Sequence, residues 1–530
     1  MKLFQFLLLC SVVIALAGCN LSTEVSAKTP AAAQAAGAGR CQSMVDYAEE
    51  GSDLEIVTAV HVTAVSDLPG ELAGQVSAEV FRPYCRIRGY FEKRTGAGQK
   101  PYAIGFGISL PDDWNGRFLF QGGGGLNGLV REPLGALASG DVPALFRGFA
   151  VVSTDSGHQS DTVFDVTFFQ DQQALLNFYS QAVYKTTLLG NRMVSHYYEA
   201  EPKHQYFSGC STGGREGMTM SQRYPDLFDG IIVGAPARRT NYSEIADLWS
   251  AKTLQALSSA NGGVPFSEAQ QALIVDSLLQ QCDSLDGLED GFVMDVAGCD
   301  FDPAVLQCTG EGTSQGCLSQ QQVKALGEAF AGPRLASGEN IYPGFYYDTG
   351  ISAKAEHGIP GLLQGVAGPL GKARIDQPFD LQREIDIAEN FPLAPGNATL
   401  KNLTTFAGSG HKLFFFHGVS DPWFSAKDTQ GYYLDMAEDN GGLEAVKRWS
   451  KLYFVPGMGH CHGGERALDR FDMLSPLVDW VESGSEPERI PAWSTVTTDT
   501  RRRLCPYPDV SRYRGEGDPN REDSFQCVPP

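Results

Sequence analysis

Positive charge is scarce in this chain. Its 530 residues carry 41 Lys and Arg against 63 Asp and Glu, a net charge of −22. That balance excludes the basic face that phosphate binding needs, and with it nucleic acid as a partner. It disfavours anionic membrane surfaces as well. Long apolar runs are lacking beyond the first residues. The opening, "MKLFQFLLLCSVVIALAGC", sets one Lys before a run of signal-peptide length, too short to span a bilayer. No His or Cys cluster has zinc spacing. A catalytic metal is therefore not expected.

The opening implies export. Leu16-Ala17-Gly18-Cys19 resembles the bacterial lipobox, in which the cysteine is acylated after cleavage, and Asn20 in place of Asp favours the outer membrane. The expectation is a periplasmic or outer-membrane lipoprotein anchored at Cys19; an ordinary signal peptide cut nearby is the alternative. Export permits disulfides. Of 12 cysteines, Cys10 and Cys19 lie in the leader. Proximity suggests Cys282 with Cys299, Cys308 with Cys317 and Cys505 with Cys527, leaving Cys41, Cys85, Cys210 and Cys461.

Residues 1–19 read as leader and 20–40, small and low in complexity, as a flexible tether. From there strands and helices alternate: "GRFLFQ", "GFAVVSTDSG", a helical stretch over 173–198, "HQYFSG", a helix stopped by Pro225, and "FDGIIVGAPA". Such alternation predicts a parallel sheet covered on both faces. It lapses over 238–404 and resumes at "HKLFFFHGVSDPWF" and "SKLYFVPGMGHC". The expectation is an α/β-hydrolase fold. Residues 41–237 and 405–530 form the core, interrupted by a lid domain at 238–404.

"YFSGCSTGGREG" carries the chemistry. A strand, Gly209-Cys210-Ser211-Thr212-Gly213 and a helix give the context of a nucleophile elbow. Alone the motif is weak; its placement strengthens it. In this fold the nucleophile precedes an acid and then a histidine. Asp421 follows "KLFFFHG" in a turn, and His460 follows "LYFVPGMG". His462 competes with His460 for the role of base, whereas His417 and His158 precede Asp421 and fit the order poorly. An oxyanion hole needs two N–H groups, one from Thr212 and one from an earlier loop, for which "QGGGG" (121–125) is suited. A Cys210–Cys461 bridge would join the neighbour of the nucleophile to that of the base.

These residues resemble the tannase and feruloyl esterase family, marked by a Cys-Ser, an Asp and a His-Cys whose cysteines are bridged. Cys210-Ser211, Asp421 and His460-Cys461 match it, as do "WNGRF", "GREGM", "DGLEDG", "HGVSD" and "RFDMLSPLVDWVE". The resemblance implies that Gly125 is the second oxyanion donor and that Cys41 pairs with Cys85. It also implies a structural calcium ion. "CDSLDGLEDGF" would bind it through Asp283, Asp286 and Asp290 and the main-chain oxygens of Leu288 and Phe292. Without the resemblance, that loop reads as a solvated acidic turn.

The implied activity is a secreted serine carboxylesterase acting on small esters of aromatic acids, hydroxycinnamoyl or galloyl. His417 and Phe424 are candidates to line the pocket. A hydrolase of terephthalate monoesters is the alternative, but the stretch between "YYDTGISAK" and "FDLQREIDIAEN" holds no Trp and a single Arg, Arg374. A non-catalytic, calcium-stabilised lipoprotein of the same fold is the reading from another class.

Overall fold

The computed structural model describes residues 30–69, 72, 76–258, 263–309, 316–497 and 499–530. The leader, Cys19 and the tether as far as residue 29 lie outside the described residues. No helix among the described residues is long and apolar enough to cross a membrane.

Nine strands form one sheet in the order β1-β2-β3-β5-β4-β6-β7-β8-β9. β1 (Glu55–Val62), β2 (Tyr84–Thr95) and β3 (Pro101–Pro111) form antiparallel hairpins at one edge. The others, β4 (Arg117–Gln121), β5 (Ala150–Thr154), β6 (His204–Cys210), β7 (Gly230–Gly234), β8 (Lys412–Gly418) and β9 (Ser450–Val455), run parallel to one another. These strands are short apolar runs, as strands covered on both faces must be. In "KLFFFHG" every residue after Lys412 is buried. Phe120 and Phe207 stack across β4 and β6, with ring centroids 5.6 Å apart. Burying each such ring contributes roughly 1.5–3 kcal/mol. This is an α/β-hydrolase fold.

The direction of the strands decides where chemistry can occur. Because β4, β6, β8 and β9 are parallel, the segments that follow Gln121, Cys210, Gly418 and Val455 all emerge at the same end of the sheet. Those segments are the glycine run, Ser211, Asp421 and the loop to His460. Open parallel sheets place their ligand sites at this end.

β7 and β8 are adjacent although far apart in sequence. The intervening chain forms an insertion over that end, with helices Thr240–Gln255, Glu268–Cys282, Gln320–Ala331 and Leu381–Glu389. Leu254, Phe266, Leu278, Leu326 and Phe330 give it a core of its own. Two small antiparallel sheets close the C-terminal region, Arg470–Phe471 with Ile490–Trp493 and Arg501–Leu504, and Val510–Tyr513 with Phe525–Val528.

One expectation fails at the N-terminus. The tether predicted to reach residue 40 is helical from Pro30, in a helix that runs to Ser43. Proline at the first helical position and an alanine-rich run favour this. The helix is fixed at its far end, where Arg40 lies 4.5 Å over the Tyr197 ring and Cys41 is bridged to Cys85. All five expected bridges are present: Cys41–Cys85, Cys210–Cys461, Cys282–Cys299, Cys308–Cys317 and Cys505–Cys527.

Candidate active site

Ser211 sits between the end of β6 and the helix Thr212–Arg223, with φ 63° and ψ −123°. A serine at positive φ is strained and persists only where its surroundings fix it. Its N–H donates to Gly234 O at 3.0 Å and its carbonyl accepts from Ala237 N at 3.0 Å, so the end of β7 holds the turn. The flanking glycines are required by close approach. A Cβ on Gly209 would lie 2.5 Å from Gly213 O, and one on Gly213 would lie 2.7 Å from Gly123 O. The helix that begins at Thr212 sets its positive end beside Ser211, and its Gly213 N–H is taken by Gly123 O at 3.1 Å, which draws the glycine run to the elbow.

Asp421 and His460 meet in the turns that follow β8 and β9. Asp421 Oδ2 is 2.6 Å from His460 Nδ1, with Asp421 1% exposed. A carboxylate at that distance requires Nδ1 to carry the proton, which leaves Nε2 free as an acceptor. Asp421 Oδ1 accepts the N–H groups of Trp423 at 2.9 Å and Phe424 at 3.1 Å. Burial opposes its charge, but His460 and His417 hold its carboxyl well below the usual range. The Trp423 and Phe424 rings flank His460, with centroids 5.1 and 5.2 Å away. His462 is exposed, so the geometry brings His460 rather than its rival to the acid.

His417 is not on the pocket wall where it was expected. It is fully buried behind Asp421. Its Nε2 lies 2.8 Å from Phe424 O, which requires that nitrogen to donate, and its Nδ1 is 2.8 Å from Thr429 Oγ1. The same Nε2 is 3.4 Å from Asp421 Oδ2. His417 thus supports the acid, whereas Phe424 does face the cavity.

The Cys210–Cys461 bridge links the residue before Ser211 to the one after His460, with Cα atoms 6.1 Å apart. Closing 251 residues is worth about 5 kcal/mol in the chain-entropy model. Its larger effect is on register, since about 1 Å of misplacement can cost ~100-fold in rate. Replacing both cysteines with alanine is therefore expected to lower kcat on a small ester by ~10–100-fold at temperatures where the variant remains folded. A kcat unchanged in the folded variant would show that the bridge only stabilises.

Two buried carboxylates that the sequence did not single out organise this region. Glu216, on the helix behind Ser211, accepts Gly123 N at 2.9 Å, Asn127 Nδ2 at 2.8 Å and Ser156 Oγ at 3.0 Å. It thereby fixes the glycine run. Gly125 in that run has φ +60°, and a Cβ there would lie 2.5 Å from Val163 Cγ1; the Thr212 hydroxyl donates to its carbonyl. Asp348, from the insertion, accepts Ser420 Oγ at 2.8 Å and Gly457 N at 2.6 Å. One carboxylate thus ties the acid turn to the histidine loop. The "GREGM" motif contained Glu216, but nothing local in the sequence marks Asp348.

A cleft of about 690 Å³, its open mouth included, lies between the sheet end and the insertion. Gly125, Ser211 and Thr212 form part of its wall, with Phe164, Trp423 and Phe424 among its aromatic residues. Arg374, the single arginine between the two segments that flank this part of the insertion, is committed to carboxylates. Its Nε is 3.1 Å from Glu384 Oε2 and its Nη2 is 3.9 Å from Glu244 Oε1.

In the acidic loop, Asp283 accepts Gly291 N, Asp286 accepts Leu288 N and Asp290 accepts Phe292 N. Burial raises the Asp283 carboxyl and pushes that of Asp286 up to about 7, with neighbouring carboxylates adding to both. Oxygen donors carrying uncompensated buried charge suit a hard cation. Asp290, however, is paired with the Arg502 guanidinium. No group of three or more His, Cys, Asp or Glu side chains is placed to hold a metal among the described residues.

A family model described as tannase and feruloyl esterase matches residues 85–374 and 380–528. The chain belongs to the tannase and feruloyl esterase family. It is 34% identical to mono(2-hydroxyethyl) terephthalate hydrolase of Piscinibacter sakaiensis, over 89% of each chain. It is 31% identical to a probable feruloyl esterase of Arthroderma benhamiae, covering 79% of this chain and 81% of that one. Among solved structures, feruloyl esterase B from Aspergillus oryzae superposes with a TM-score of 0.76 at 25% identity, covering 93% of this chain and all of the other. Tannin acyl hydrolase from Aspergillus niger shares the fold, with a TM-score of 0.70 at 22% identity over 92% of this chain and 94% of its own. This member of the tannase and feruloyl esterase family is a carboxylic ester hydrolase.

Proposed function

We propose that the protein is an exported serine esterase that hydrolyses small esters of aromatic acids through an acyl-enzyme. The observation that carries this reading is the Asp421–His460 pair, tied by Cys210–Cys461 to the strained Ser211 at an aromatic-walled cleft. Ser211 Oγ attacks the ester carbonyl as its proton passes to His460 Nε2. The Nδ1–H bond to Asp421 stabilises the imidazolium that results. The N–H groups of Thr212 and Gly125 take the charge on the carbonyl oxygen. His460 then gives its proton to the departing alcohol, and water repeats the sequence to release the acid. Five disulfides and the leader support export; a lipid anchor at Cys19 belongs to the same proposal.

Within this reading the acyl group is a neutral phenolic acid, hydroxycinnamoyl or galloyl. A terephthalate monoester needs a cation opposite its distal carboxylate, and Arg374 is already engaged by Glu384 and Glu244. The net charge of −22 adds a modest, salt-dependent repulsion. Assaying methyl ferulate, methyl caffeate, methyl gallate and the terephthalate monoester side by side is expected to give a higher kcat/KM on at least one phenolic ester. A clear preference for the terephthalate monoester would reverse the assignment.

Calcium, in this proposal, is structural. Asp283, Asp286 and, once it leaves the Arg502 guanidinium, Asp290, with main-chain oxygens of Leu288 and Phe292, would draw together to hold it, and it would neutralise the buried carboxylates of the loop. Chelation is expected to lower the melting temperature far more than the initial rate. An unchanged melting curve, with no calcium in elemental analysis, would remove the site.

A further inference from the structure

The helix Thr240–Gln255 presents Thr240, Ser243, Glu244 and Asp247 to the cleft. Their spacing places them on one face, and they make a polar strip on a wall otherwise built from residues such as Phe178, Tyr179, Leu370 and Leu393. Two carboxyl groups on an apolar wall need an explanation. Asp247 Oδ2 accepts Gly368 N at 2.6 Å. Glu244 Oε1 is buried and has no hydrogen-bond partner, its nearest cation being Arg374 Nη2 at 3.9 Å. A buried acceptor with no donor is costly, and a ligand that brings the donor would relieve that cost.

We propose that Glu244 and Asp247 select the acyl part of the substrate, accepting hydrogen bonds from phenolic hydroxyls and turning away an acyl group that carries a carboxylate. The proposal rests on the esterase reading above and adds the residues that set its specificity. The two guanidinium groups nearest the strip are already engaged. Arg374 is held by Glu384. Arg215, itself on the wall, donates to the carbonyls of Phe178 and Tyr179 at 2.9 and 3.0 Å. Burial, then the Asp247 charge, pushes the Glu244 carboxyl well up, against Arg374 and with Glu384. Asp247 is pushed up to about 7, by burial first and by the nearby Asp421 charge, against the Gly368 N–H and Arg374. The pair therefore holds a proton near neutrality and gains charge as pH rises, and an anionic acyl group is repelled more at high pH than at low.

The test compares ratios of kcat/KM within each enzyme, which cancels changes in Ser211 or His460. Methyl caffeate and methyl cinnamate differ only in ring hydroxyls. The wild type is expected to favour the caffeate by about tenfold or more, since unpaired polar groups discriminate strongly. Glu244→Leu, which removes the acceptor, should bring that ratio close to one, mainly through KM. Glu244→Gln, which keeps a neutral acceptor, should retain part of it while raising the terephthalate monoester relative to the cinnamate; Asp247→Asn should do the same. In the wild type, that terephthalate-to-cinnamate ratio should rise as pH falls from 7.5 to 5.5. A caffeate-to-cinnamate ratio near one in the wild type, or one that neither Glu244→Leu nor Asp247→Asn alters, would overturn the proposal. So would a terephthalate-to-cinnamate ratio independent of pH. A wild type that hydrolyses neither cinnamate nor caffeate would instead count against the esterase reading itself.

Discussion

Ser211→Ala is expected to lower kcat on any ester by at least ~10⁴-fold while leaving the melting temperature nearly unchanged. Alanine keeps the Cβ and the strained φ of 63°, so the elbow and its bonds to Gly234 and Ala237 remain. Only the attacking oxygen is lost. His460→Ala should be about as damaging, whereas His462→Ala should be mild because His462 is exposed while His460 holds the bond to Asp421. Comparable turnover in Ser211→Ala would mean that another nucleophile does the work. The reverse order for the two histidines would move the base.

Asp421→Asn should cost ~10⁴-fold in kcat. The asparagine oxygen can still accept from Trp423 N and Phe424 N in place of Oδ1. Its NH₂ group would then face His460 Nδ1, which could no longer donate there. The imidazole would take the other tautomer, with Nε2 protonated and unable to accept the Ser211 proton. The pH dependence of folding gives a second readout. The Asp421 carboxyl lies below its ordinary value in the folded protein, so its ionisation stabilises the fold above the unfolded value of about 4. That contribution is lost as pH falls through the lower folded value. Wild type should therefore lose stability on acidification relative to Asp421→Asn. A parallel loss in both would remove the linkage.

Much of this architecture was legible because it rests on local pattern. The buried strands "RFLFQ", "QYFSG" and "KLFFFHG" are continuous apolar runs, and the glycines around Ser211 announce a turn that tolerates no side chains. The order Ser211, Asp421, His460 is the one this fold uses, and parallel strand direction brings all three to one end of the sheet. What the sequence concealed depends on contacts between distant segments. Asp348 reaches from the insertion to Ser420 and Gly457, and no period or motif near residue 348 signals it. The sequence does not settle the side on which His417 lies, because a residue at the end of a strand can face either the cleft or the core; here the Phe424 carbonyl and the Thr429 hydroxyl hold it inward. The polar strip from Thr240 to Asp247 had no clear signature, since the same helix carries Asn241, Ser250, Lys252, Thr253 and Gln255 as well. Its meaning emerged only when the sheet end supplied the opposite wall. The failed tether shows the converse, since composition suited both a linker and a helix, and contacts with Tyr197 and Cys85 fixed the outcome.

The most direct test of the central claim is to trap the acyl-enzyme. Mature protein mixed with a nitrophenyl ester of a hydroxycinnamic acid and quenched in acid within the first turnover should gain the mass of one acyl group. Proteolysis should then place that group on Ser211, in the peptide that remains bridged through Cys210 to Cys461 until it is reduced. Ser211→Ala should gain no mass under the same conditions. Acylation at a residue other than Ser211, or rapid hydrolysis with no acyl group found on the wild type at any quench time, would contradict the account.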